Sequence, residues 1–326
     1  MKKNISVIGC GYWGKNLIRN FYELEALNSI CDIDIDLAAK FSNEYNVPCK
    51  TFNDILNDTS IEGVVIALPV QHHFKYASKA LEKNKKVFVE KPLTANIDEA
   101  KKLIEIQKNN SRIMVGHLLR YHPSFIKVNE ILDSDVIGKP QFIYSNRKSL
   151  GIIRNFENVS SSFAVHDIAM ILSIFKKMPV SVYCNSISIL QKDIEDISEI
   201  SMFFSDFEKA TIGVSWISPY KEHKLTVMGK SGAIVFDDTK DKDKLKLNKY
   251  NVDKDNNKIL ISKNEELIEF EDIEPLKAEC MHFLDVVNND DIKPLTNANE
   301  GLNVLKILEG CRISLEKNKT VLMEDV

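Results

Sequence analysis

The N-terminal stretch joins a short strand, a glycine-rich turn and an amphipathic helix, and this combination constrains the fold more than any other feature. The strand Ile5–Ile8 leads into the turn Gly9-Cys10-Gly11-Tyr12-Trp13-Gly14. Gly9 permits the tight turn, Gly11 lets the backbone approach a diphosphate, and Gly14 lets the helix pack closely on the sheet. The helix has its apolar positions at helical spacing, at Leu17, Ile18, Phe21, Tyr22 and Leu24. This arrangement predicts a dinucleotide site in which the helix N-terminus faces the phosphates.

A carboxylate stands where the adenosine ribose would be held. The second predicted strand, 27–31, is followed directly by Asp32. A carboxylate about 20 residues after the glycine turn accepts hydrogen bonds from the ribose hydroxyls and repels a 2′-phosphate. No arginine follows Asp32 closely. The sequence therefore predicts NAD rather than NADP as the cofactor.

Strands and helices continue to alternate up to residue 117, which predicts a parallel sheet with right-handed crossovers. The predicted strands are 63–68, 86–90 and 113–116, and the predicted helices are 36–45, 72–83 and 97–108. His72 and His73 begin one of these helices, just past the end of a strand. Ligands of open α/β sheets bind at such carboxyl ends. Taken alone, two histidines at a helix start lie more often on a solvated surface than at a ligand site.

Composition excludes several classes of protein. The net charge of −4 leaves no basic surface for a nucleic-acid backbone. The six cysteines form no Cys-x-x-Cys pair, so we expect reduced thiols and no metal site. No apolar run is long enough for a signal peptide or a membrane span. These features predict a cytoplasmic protein with no membrane partner.

The stretch Val87–Pro92 ends a predicted strand in Glu90-Lys91-Pro92. Such a strand delivers a lysine to the edge of the sheet where ligands bind. Taken alone, the Glu-Lys pair is more typical of an ordinary strand end at the surface. The motifs elsewhere in the chain favour the first interpretation.

Taken together, these residues resemble the glucose-fructose oxidoreductase / inositol dehydrogenase family of NAD(P)-dependent sugar oxidoreductases. The resemblance covers essentially the whole chain and also includes Ala67-Leu68-Pro69 with His73, Val115-Gly116-His117, Arg120-Tyr121-His122-Pro123, Ser162–Ile168, Glu274-Pro275-Leu276 and Pro294-Leu295-Thr296. It implies that Leu68, Pro69, His73, Glu90 and Lys91 join Gly9, Gly11, Tyr12, Trp13, Gly14 and Asp32 at the cofactor. The opening 12–16 and the segments 145–147 and 162–164 look most like the sugar-nucleotide branch, which includes UDP-N-acetylglucosaminuronate 3-dehydrogenases.

The resemblance implies an α/β protein of two domains. Residues 1–120 would form the Rossmann domain, and 121–326 an α+β domain with an open, mostly antiparallel sheet. Strand-like segments at 141–145, 180–189, 199–204, 210–217 and 225–229 agree with this. The charged region 237–271 predicts a peripheral hairpin with strands at 244–247 and 258–261, and 299–316 predicts a structural helix. In relatives the open sheet packs on another subunit, so we expect a homodimer or homotetramer.

The resemblance also assigns the chemistry. Lys91 would bind the reacting oxygen or relay its proton, and the Lys91-Pro92 peptide could be cis. His166 would act as base in oxidation, although its spacing alone is more typical of a buried core histidine. Many polyol-oxidising relatives carry an aspartate where this chain has Ser162. The neighbouring Asp167 diverges from His166 by about 100° on a helix, so it is a poor substitute.

Candidate substrate-binding residues precede His166 in the chain. A guanidinium suits a uronate carboxylate or a diphosphate, and the set comprises Lys91, Tyr121, Asn146, Arg147, Arg154, Ser162 and His166. The two arginines could equally be loop charges in water, and Tyr121 with Arg120 could instead brace the domain boundary. The expected activity is NAD-dependent oxidation of a sugar-nucleotide hydroxyl, at C3 of UDP-N-acetylglucosaminuronate for surface-polysaccharide synthesis. Alternatives are another sugar-nucleotide ketoreductase, a free-sugar or polyol dehydrogenase, and a non-catalytic NAD-binding sensor.

Overall fold

A computed structural model describes residues 2–107, 112–155, 157–255 and 258–326. The chain divides into two compact units. Unit 1 comprises Met1–His122 and Ile273–Leu305, and unit 2 comprises Pro123–Asp272 and Lys306–Val326. The first segment of unit 1 ends two residues beyond the predicted boundary at 120. The second segment of unit 1 comes from a region that the sequence had assigned entirely to the other domain.

Unit 1 contains a parallel sheet, as predicted. Its strands are β1 (Ile5–Ile8), β2 (Leu27–Cys31), β3 (Gly63–Ile66), β4 (Lys86–Glu90) and β5 (Ile113–Gly116). Among the described residues they pair in the order β2-β1-β3-β4-β5. All residues of β1, β3 and β5 are buried, because helices cover both faces of a parallel sheet. The chain order reverses next to β1, which is where such sheets bind ligands.

The helices of unit 1 cover the two faces of this sheet. They are α1 (Gly14–Glu23), α2 (Ile35–Tyr45), α3 (Phe52–Asn57), α4 (His73–Glu82) and α5 (Ile97–Ile106), with α8 (Pro275–Asn288) from the second segment. On one face, Phe21 of α1 and Phe283 of α8 pack with Phe88 of β4. On the other face, Val87 and Val89 pack with α4 and α5. Helix α8 therefore completes the core of unit 1, and the sequence had not predicted it.

Unit 2 is built on a mixed sheet in which all described pairings but one are antiparallel. Its strands are β6 (Pro140–Leu150), β7 (Ser181–Ile187), β8 (Ile197–Phe203), β9 (Lys209–Ser215), β10 (Ile217–Gly229), β11 (Gly232–Asp237), β12 (Leu245–Asp255), β13 (Lys258–Leu267) and β14 (Val321–Leu322). Within the described residues their order is β13-β12-β11-β10-β6-β9-β8-β7-β14, and β6 and β9 are the parallel pair. The α+β class predicted for this domain is confirmed.

The remaining helices are α6 (Pro123–Asp133), α7 (Val165–Phe175) and α9 (Ala298–Lys317). The strand β6 shows why the sheet of unit 2 has two different faces. Ile143, Ser145 and Arg147 are buried and alternate with the more exposed Tyr144 and Asn146. The buried set faces α7, since Ser145 and Arg147 bind a residue of that helix.

Most predicted elements are present, with shifted ends. The predicted hairpin forms from β12 and β13, which are longer than expected, and β13 is an edge strand. Strand β11 and helices α3, α6 and α8 were not predicted. Lys108, the last residue of the predicted helix 97–108, lies outside the described residues. In the described parts of the chain no helix has the length and apolar character that a membrane span requires.

Candidate active site

The glycine turn between β1 and α1 has the geometry that its sequence predicts. Gly9 has φ +97°, and a Cβ there would lie 2.3 Å from the carbonyl oxygen of Ala67. A Cβ on Gly14 would lie 1.9 Å from the carbonyl oxygen of Gly9. Gly11 differs, because no described atom outside its two chain neighbours lies within 4 Å of the position of its Cβ. Gly9 and Gly14 are therefore needed by the fold, whereas Gly11 leaves space beside the N-terminus of α1 for a diphosphate.

Asp32 lies at the end of β2, directly against this turn. One of its oxygens, Oδ2, accepts a hydrogen bond from the backbone N–H of Cys10 at 2.5 Å. The other, Oδ1, accepts one from the N–H of Asp34 at 2.9 Å. These bonds hold the half-buried carboxylate beside the turn, where a ribose would bind. Tyr12 at the tip of the turn is 70% exposed. The residues present thus fit a dinucleotide.

Trp13 connects the glycine turn to the end of β4. Its indole N–H donates to Oε1 of Glu90 at 2.5 Å. The backbone N–H of Lys91 donates to Oε2 of Glu90 at 3.3 Å. Burial raises the pKa of Glu90 to about 7, and the Trp13 N–H and the charge of Lys91 oppose that rise. The Glu90 carboxyl is therefore poised to change its charge near neutral pH.

Lys91 follows Glu90 and precedes a cis peptide bond to Pro92, in agreement with the expectation. The two loops at this sheet edge are joined by His73, whose Nδ1 lies 2.8 Å from the carbonyl oxygen of Pro92. Its Nε2 lies 2.8 Å from the carbonyl oxygen of Leu68. Burial lowers the pKa of His73, and the carbonyl contacts oppose that effect. His73 therefore acts as a brace between the two loops and has no free ring nitrogen.

Pro69 belongs to the same edge. It precedes a short 3₁₀ turn, Val70–His72, that leads into α4. Leu68 is half-buried, and its side chain would lie 3.1 Å from a Cβ on Gly9. The predicted cofactor residues of β1, β3 and β4 thus converge on one edge of the sheet.

His117 is a residue of this region that sequence reasoning had not singled out as functional. It follows β5 and is 1% exposed. Among the described residues, neither of its ring nitrogens has a hydrogen-bond partner. Burial, followed by the charges of Arg120 and Lys91, lowers its pKa to about 3. The available signal was its place directly after a strand's carboxyl end, as the last residue of the motif Val115-Gly116-His117.

Tyr121 and Arg120 are held inside unit 1. Tyr121 is 2% exposed, and its hydroxyl lies 2.7 Å from Oγ1 of Thr296. Arg120 donates to Oε2 of Glu300 at 3.1 Å. Both partners come from the second segment of unit 1. These contacts favour the bracing role for the two residues over the lining of a substrate cleft.

In unit 2, Arg147 is occupied by a buried partner. Its Nε donates to Oδ2 of Asp167 at 3.0 Å, and its Nη2 donates to Oδ1 at 3.2 Å. The hydroxyl of Ser145 donates to the same Oδ1 at 2.6 Å. The side chain of Asp167 is only 1% exposed. Arg147 therefore neutralises Asp167 and is not free to clamp an anionic substrate.

The residues around Asp167 include one more histidine that the sequence did not suggest. His223 on β10 pairs in register with Arg147 of β6. Burial, the charge of Arg147 and that of Lys221 lower its pKa to about 4. His223 is thus neutral at physiological pH and lies on the face of the sheet that carries Arg147.

His166 is the second residue of α7, directly after a π-helical turn formed by Ser160–Ala164. Ser162 lies within that turn and is 5% exposed. Short π-helical turns of this kind occur frequently at functional sites. The next carboxylate along the chain, Asp167, is already bound by Arg147 and Ser145. This agrees with the expectation that Asp167 is a poor substitute for the aspartate that many polyol-oxidising relatives carry at the position of Ser162.

Asn146 and Arg154 differ from Arg147 in their surroundings. Asn146 lies on the opposite face of the sheet from Arg147 and donates to Oε1 of Glu222 at 3.1 Å. Arg154 lies in the loop after β6, where its side chain is 37% exposed and pairs with Glu157 at 2.7 Å. The three predicted polar residues are therefore not one cluster within unit 2, and Arg154 is the more accessible arginine.

Comparison with known protein families decides the relationship. A model described as an oxidoreductase family with an NAD-binding Rossmann fold matches residues 3–117. A model of the GFO/IDH/MocA C-terminal domain matches residues 125–235. The chain belongs to the GFO/IDH/MocA family. Its N-terminal part is the NAD-binding Rossmann domain of that family.

Curated relatives in this family are distant. The chain is 26% identical over 178 residues to an inositol 2-dehydrogenase of Salmonella typhimurium, covering 52% of this chain and 53% of the relative. It is 33% identical over 143 residues to oxidoreductase P35 of Formosa agariphila, covering 41% and 44%. The chain thus matches about half the length of the inositol dehydrogenase.

Solved structures share the family's fold along almost the whole chain. A UDP-N-acetylglucosamine 3-dehydrogenase of Acidithiobacillus ferrooxidans matches with a TM-score of 0.82 and 19% identity, covering 96% of this chain and 98% of that one. An oxidoreductase of Agrobacterium radiobacter in complex with NAD⁺, L-tartaric acid and magnesium matches with a TM-score of 0.83 and 16% identity, covering 100% and 99%. At these identities the likeness shows the fold alone.

Proposed function

We propose that this protein is an NAD-dependent dehydrogenase that oxidises a secondary hydroxyl, at C3, of a nucleotide-linked sugar. The observation that carries the proposal is the connection between Lys91 and the glycine turn. Trp13 of the turn binds Glu90, and Glu90 is adjacent to Lys91 and binds its backbone N–H. A titratable amine thus stands at the carboxyl end of β4, beside the cradle for the dinucleotide.

The proposed reaction requires a hydride acceptor and a proton acceptor. NAD⁺, when bound, supplies the hydride acceptor at its nicotinamide ring. Lys91 takes the hydroxyl proton as the carbinol carbon becomes a ketone, and in the reverse direction it returns that proton. His166, at the start of α7 in unit 2, is the second residue that we propose as a general acid–base group. Gly11, Asp32 and the N-terminus of α1 bind and orient the dinucleotide.

We propose UDP-N-acetylglucosaminuronate as the substrate, for the synthesis of amino sugars of a surface polysaccharide. Ser162 supports a sugar nucleotide over a polyol, because polyol-oxidising relatives usually have an aspartate there. The fold shared with a UDP-N-acetylglucosamine 3-dehydrogenase is consistent with this choice. Arg154, half-exposed on its loop, is the arginine best suited to bind a uronate or a diphosphate.

An oxidation of inositol is the competing proposal, since an inositol 2-dehydrogenase is among the relatives. The test is an assay of the purified protein with NAD⁺ and UDP-N-acetylglucosaminuronate, followed by NADH absorbance. Matched reactions contain UDP-N-acetylglucosamine, which lacks the carboxylate, and myo-inositol, which lacks the nucleotide. We expect the fastest turnover with the uronate. Turnover of inositol alone would favour the polyol dehydrogenase, and tight NAD binding without any turnover would favour a sensor.

We also propose a homodimer or homotetramer that forms through the sheet of unit 2. The face opposite α7 carries Tyr144, which is 49% exposed, and Phe142, whose ring lies 4.5 Å from that of Tyr144. A half-exposed aromatic pair on an open sheet face favours contact with a second copy. Light scattering at several concentrations tests this, and Tyr144→Lys should lower the measured mass. A single-subunit mass for the unaltered protein would refute the proposal.

A further inference from the structure

Helix α8 places a second carboxyl group over Glu90. The ring of Phe283 lies 5.6 Å from that of Phe88. Phe88 and Glu90 are two residues apart on β4 and share one face, about 6.6 Å along the strand. Glu279 and Phe283 are four residues apart and share one side of the helix, about 6 Å along its axis. A Cβ on Gly63 would lie 2.9 Å from Val287 of α8, and Gly63 pairs with Lys86 at the start of β4, so α8 runs antiparallel to β4. This direction and the matching spacings together place Glu279 toward Glu90, as Phe283 lies toward Phe88.

The two carboxyl groups have different surroundings. Glu279 is 1% exposed, and neither of its oxygens has a hydrogen-bond partner among the described residues. Glu90 accepts hydrogen bonds from the indole N–H of Trp13 and the backbone N–H of Lys91. N–H donors stabilise the ionised form of a carboxyl group. Ionisation is therefore favoured at Glu90 and disfavoured at Glu279.

Charge repulsion adds to this difference. Burial raises the pKa of Glu279 well above its ordinary value, and the charge of Glu90 raises it further. Two buried carboxylates that face each other cannot both ionise at low cost. The charge on one of them therefore keeps the proton on the other.

The other titratable groups around Glu90 and Glu279 do not change the assignment of the charge to Glu90 and of the proton to Glu279. The surrounding groups are Lys91 on β4, His117, Arg120 and Tyr121 after β5, and Cys280 and Glu274 at α8. The cationic Lys91 acts on Glu90. Arg19 of α1 is paired with Glu274 at 2.6 Å. Glu279 therefore has no dedicated cationic partner in the described structure, whereas Glu90 is next to one.

We propose that Glu279 is a positioning residue held as the neutral acid, so that Glu90 carries the single negative charge of this buried pair beside Lys91. The charge of Glu90 then sets the protonation of Lys91, and Glu279 limits the pair to one charge. Gly116 makes the arrangement possible, because a Cβ there would lie 3.0 Å from Oε2 of Glu90. The catalytic meaning of this pair rests on the proposed role of Lys91.

The decisive experiment compares the folding of the full chain with that of Glu279→Gln, at pH values from 5.5 to 8.5. A group whose pKa is raised by folding binds a proton on folding, so its contribution to stability is lost as the pH rises from its unfolded pKa toward its folded one. Gln cannot bind that proton. We expect the ratio of the two folding constants to change by about tenfold per pH unit, in favour of the variant at high pH.

Asp285→Asn is the matched control, because it removes one acidic group from an exposed position of the same helix. Its folding constant should keep a fixed ratio to that of the unaltered protein above about pH 7.5, where His282, which responds to the charge of Asp285, is neutral. A fixed ratio for Glu279→Gln as well would overturn the proposal, since it would mean an ordinary, ionised carboxylate.

Infrared spectroscopy of the unaltered protein keeps the proposal testable even if the Gln variant does not fold. With ¹³C-labelled glutamate, the carbonyl band of a protonated carboxylic acid should persist at pH 8.5. The absence of any such band at that pH would overturn the assignment. Neither experiment needs a substrate, so their failure is distinct from a failure of the proposed activity.

The effect on Lys91 is measured from the pH profile of kcat/KM for UDP-N-acetylglucosaminuronate. In Glu90→Gln the acid limb should move to lower pH, because the ammonium form of Lys91 loses its neighbouring negative charge. In Glu279→Gln the limb should move less, since Glu90 keeps its charge. Equal movement in both variants would contradict the assignment of the charge to Glu90.

Discussion

Trp13 and Glu90 are joined by a hydrogen bond of 2.5 Å, from the indole N–H to Oε1. The bond connects the glycine turn after β1 to the end of β4, where Lys91 lies. It also lowers the pKa of a carboxyl group whose burial raises that pKa to about 7. The side chain of Glu90 thus contacts both the glycine turn that would bind the cofactor and Lys91, the candidate acid–base group.

Trp13→Phe should cost more stability at pH 8 than at pH 6. The variant loses a hydrogen bond to a charged acceptor, which contributes about 1.5–3 kcal/mol when Glu90 is ionised. Below the folded pKa of about 7 the acceptor is increasingly neutral, so the loss is smaller. Urea unfolding at the two pH values measures the difference.

Trp216→Phe is the matched control for this variant. Trp216 donates to Oδ1 of the buried Asp196 at 2.6 Å. The pKa of Asp196 is lowered by its hydrogen bonds, against the effect of burial, so this acceptor stays ionised at both pH values. Its loss should be independent of pH, and a similar pH-independent loss for Trp13→Phe would contradict the prediction.

Gly11→Ala should fold normally and bind NAD at least tenfold more weakly. No described atom outside the two chain neighbours lies within 4 Å of the new Cβ, which would instead occupy the space left for the diphosphate. Thermal unfolding and a titration of NADH fluorescence measure the two effects. Gly151→Ala, at an exposed position with no contact under 3.7 Å, should change neither quantity. Unchanged affinity in Gly11→Ala would place the cofactor elsewhere.

Lys91→Ala and His166→Ala should each lower kcat by about 10²-fold or more while NAD binding is retained. Both variants remove a group that is proposed to move the hydroxyl proton. Steady-state kinetics and NADH fluorescence measure the two quantities separately. Lys79→Ala, on the exposed surface of α4, controls for the loss of a lysine. Near-normal turnover in either variant would refute the role of that residue.

The two arginines of unit 2 should behave differently. Arg147→Ala leaves the buried Asp167 without its cationic partner and should destabilise the protein by about 3–5 kcal/mol. Arg154→Ala removes a half-exposed side chain and should leave stability unchanged while raising KM for an anionic sugar nucleotide. Urea unfolding and KM measurements on both variants test this. A stable Arg147→Ala with a raised KM would restore Arg147 as a substrate ligand.

Local sequence determined much of unit 1. The glycines, the acid after β2 and the apolar strands predicted the turn, the parallel sheet and the position of Lys91, because these features depend on backbone conformation and on residues close in the chain. The strand-like segment 141–145 likewise agreed with a second sheet, which the family resemblance implied. These predictions needed no knowledge of distant partners.

Tertiary structure alone decided which side chains meet. Arg147 is paired with Asp167, Asn146 lies on the other face of the same strand, and Glu279 returns from a late segment to cover Glu90. The sequence does not identify such partners, since side chains far apart in the chain meet only when helices pack on strands. Those packing contacts, through burial and the supply of N–H donors, fix which carboxyl group carries charge. In the unfolded chain the carboxyl group of Glu90 would be exposed to water and would have the ordinary pKa of a glutamate.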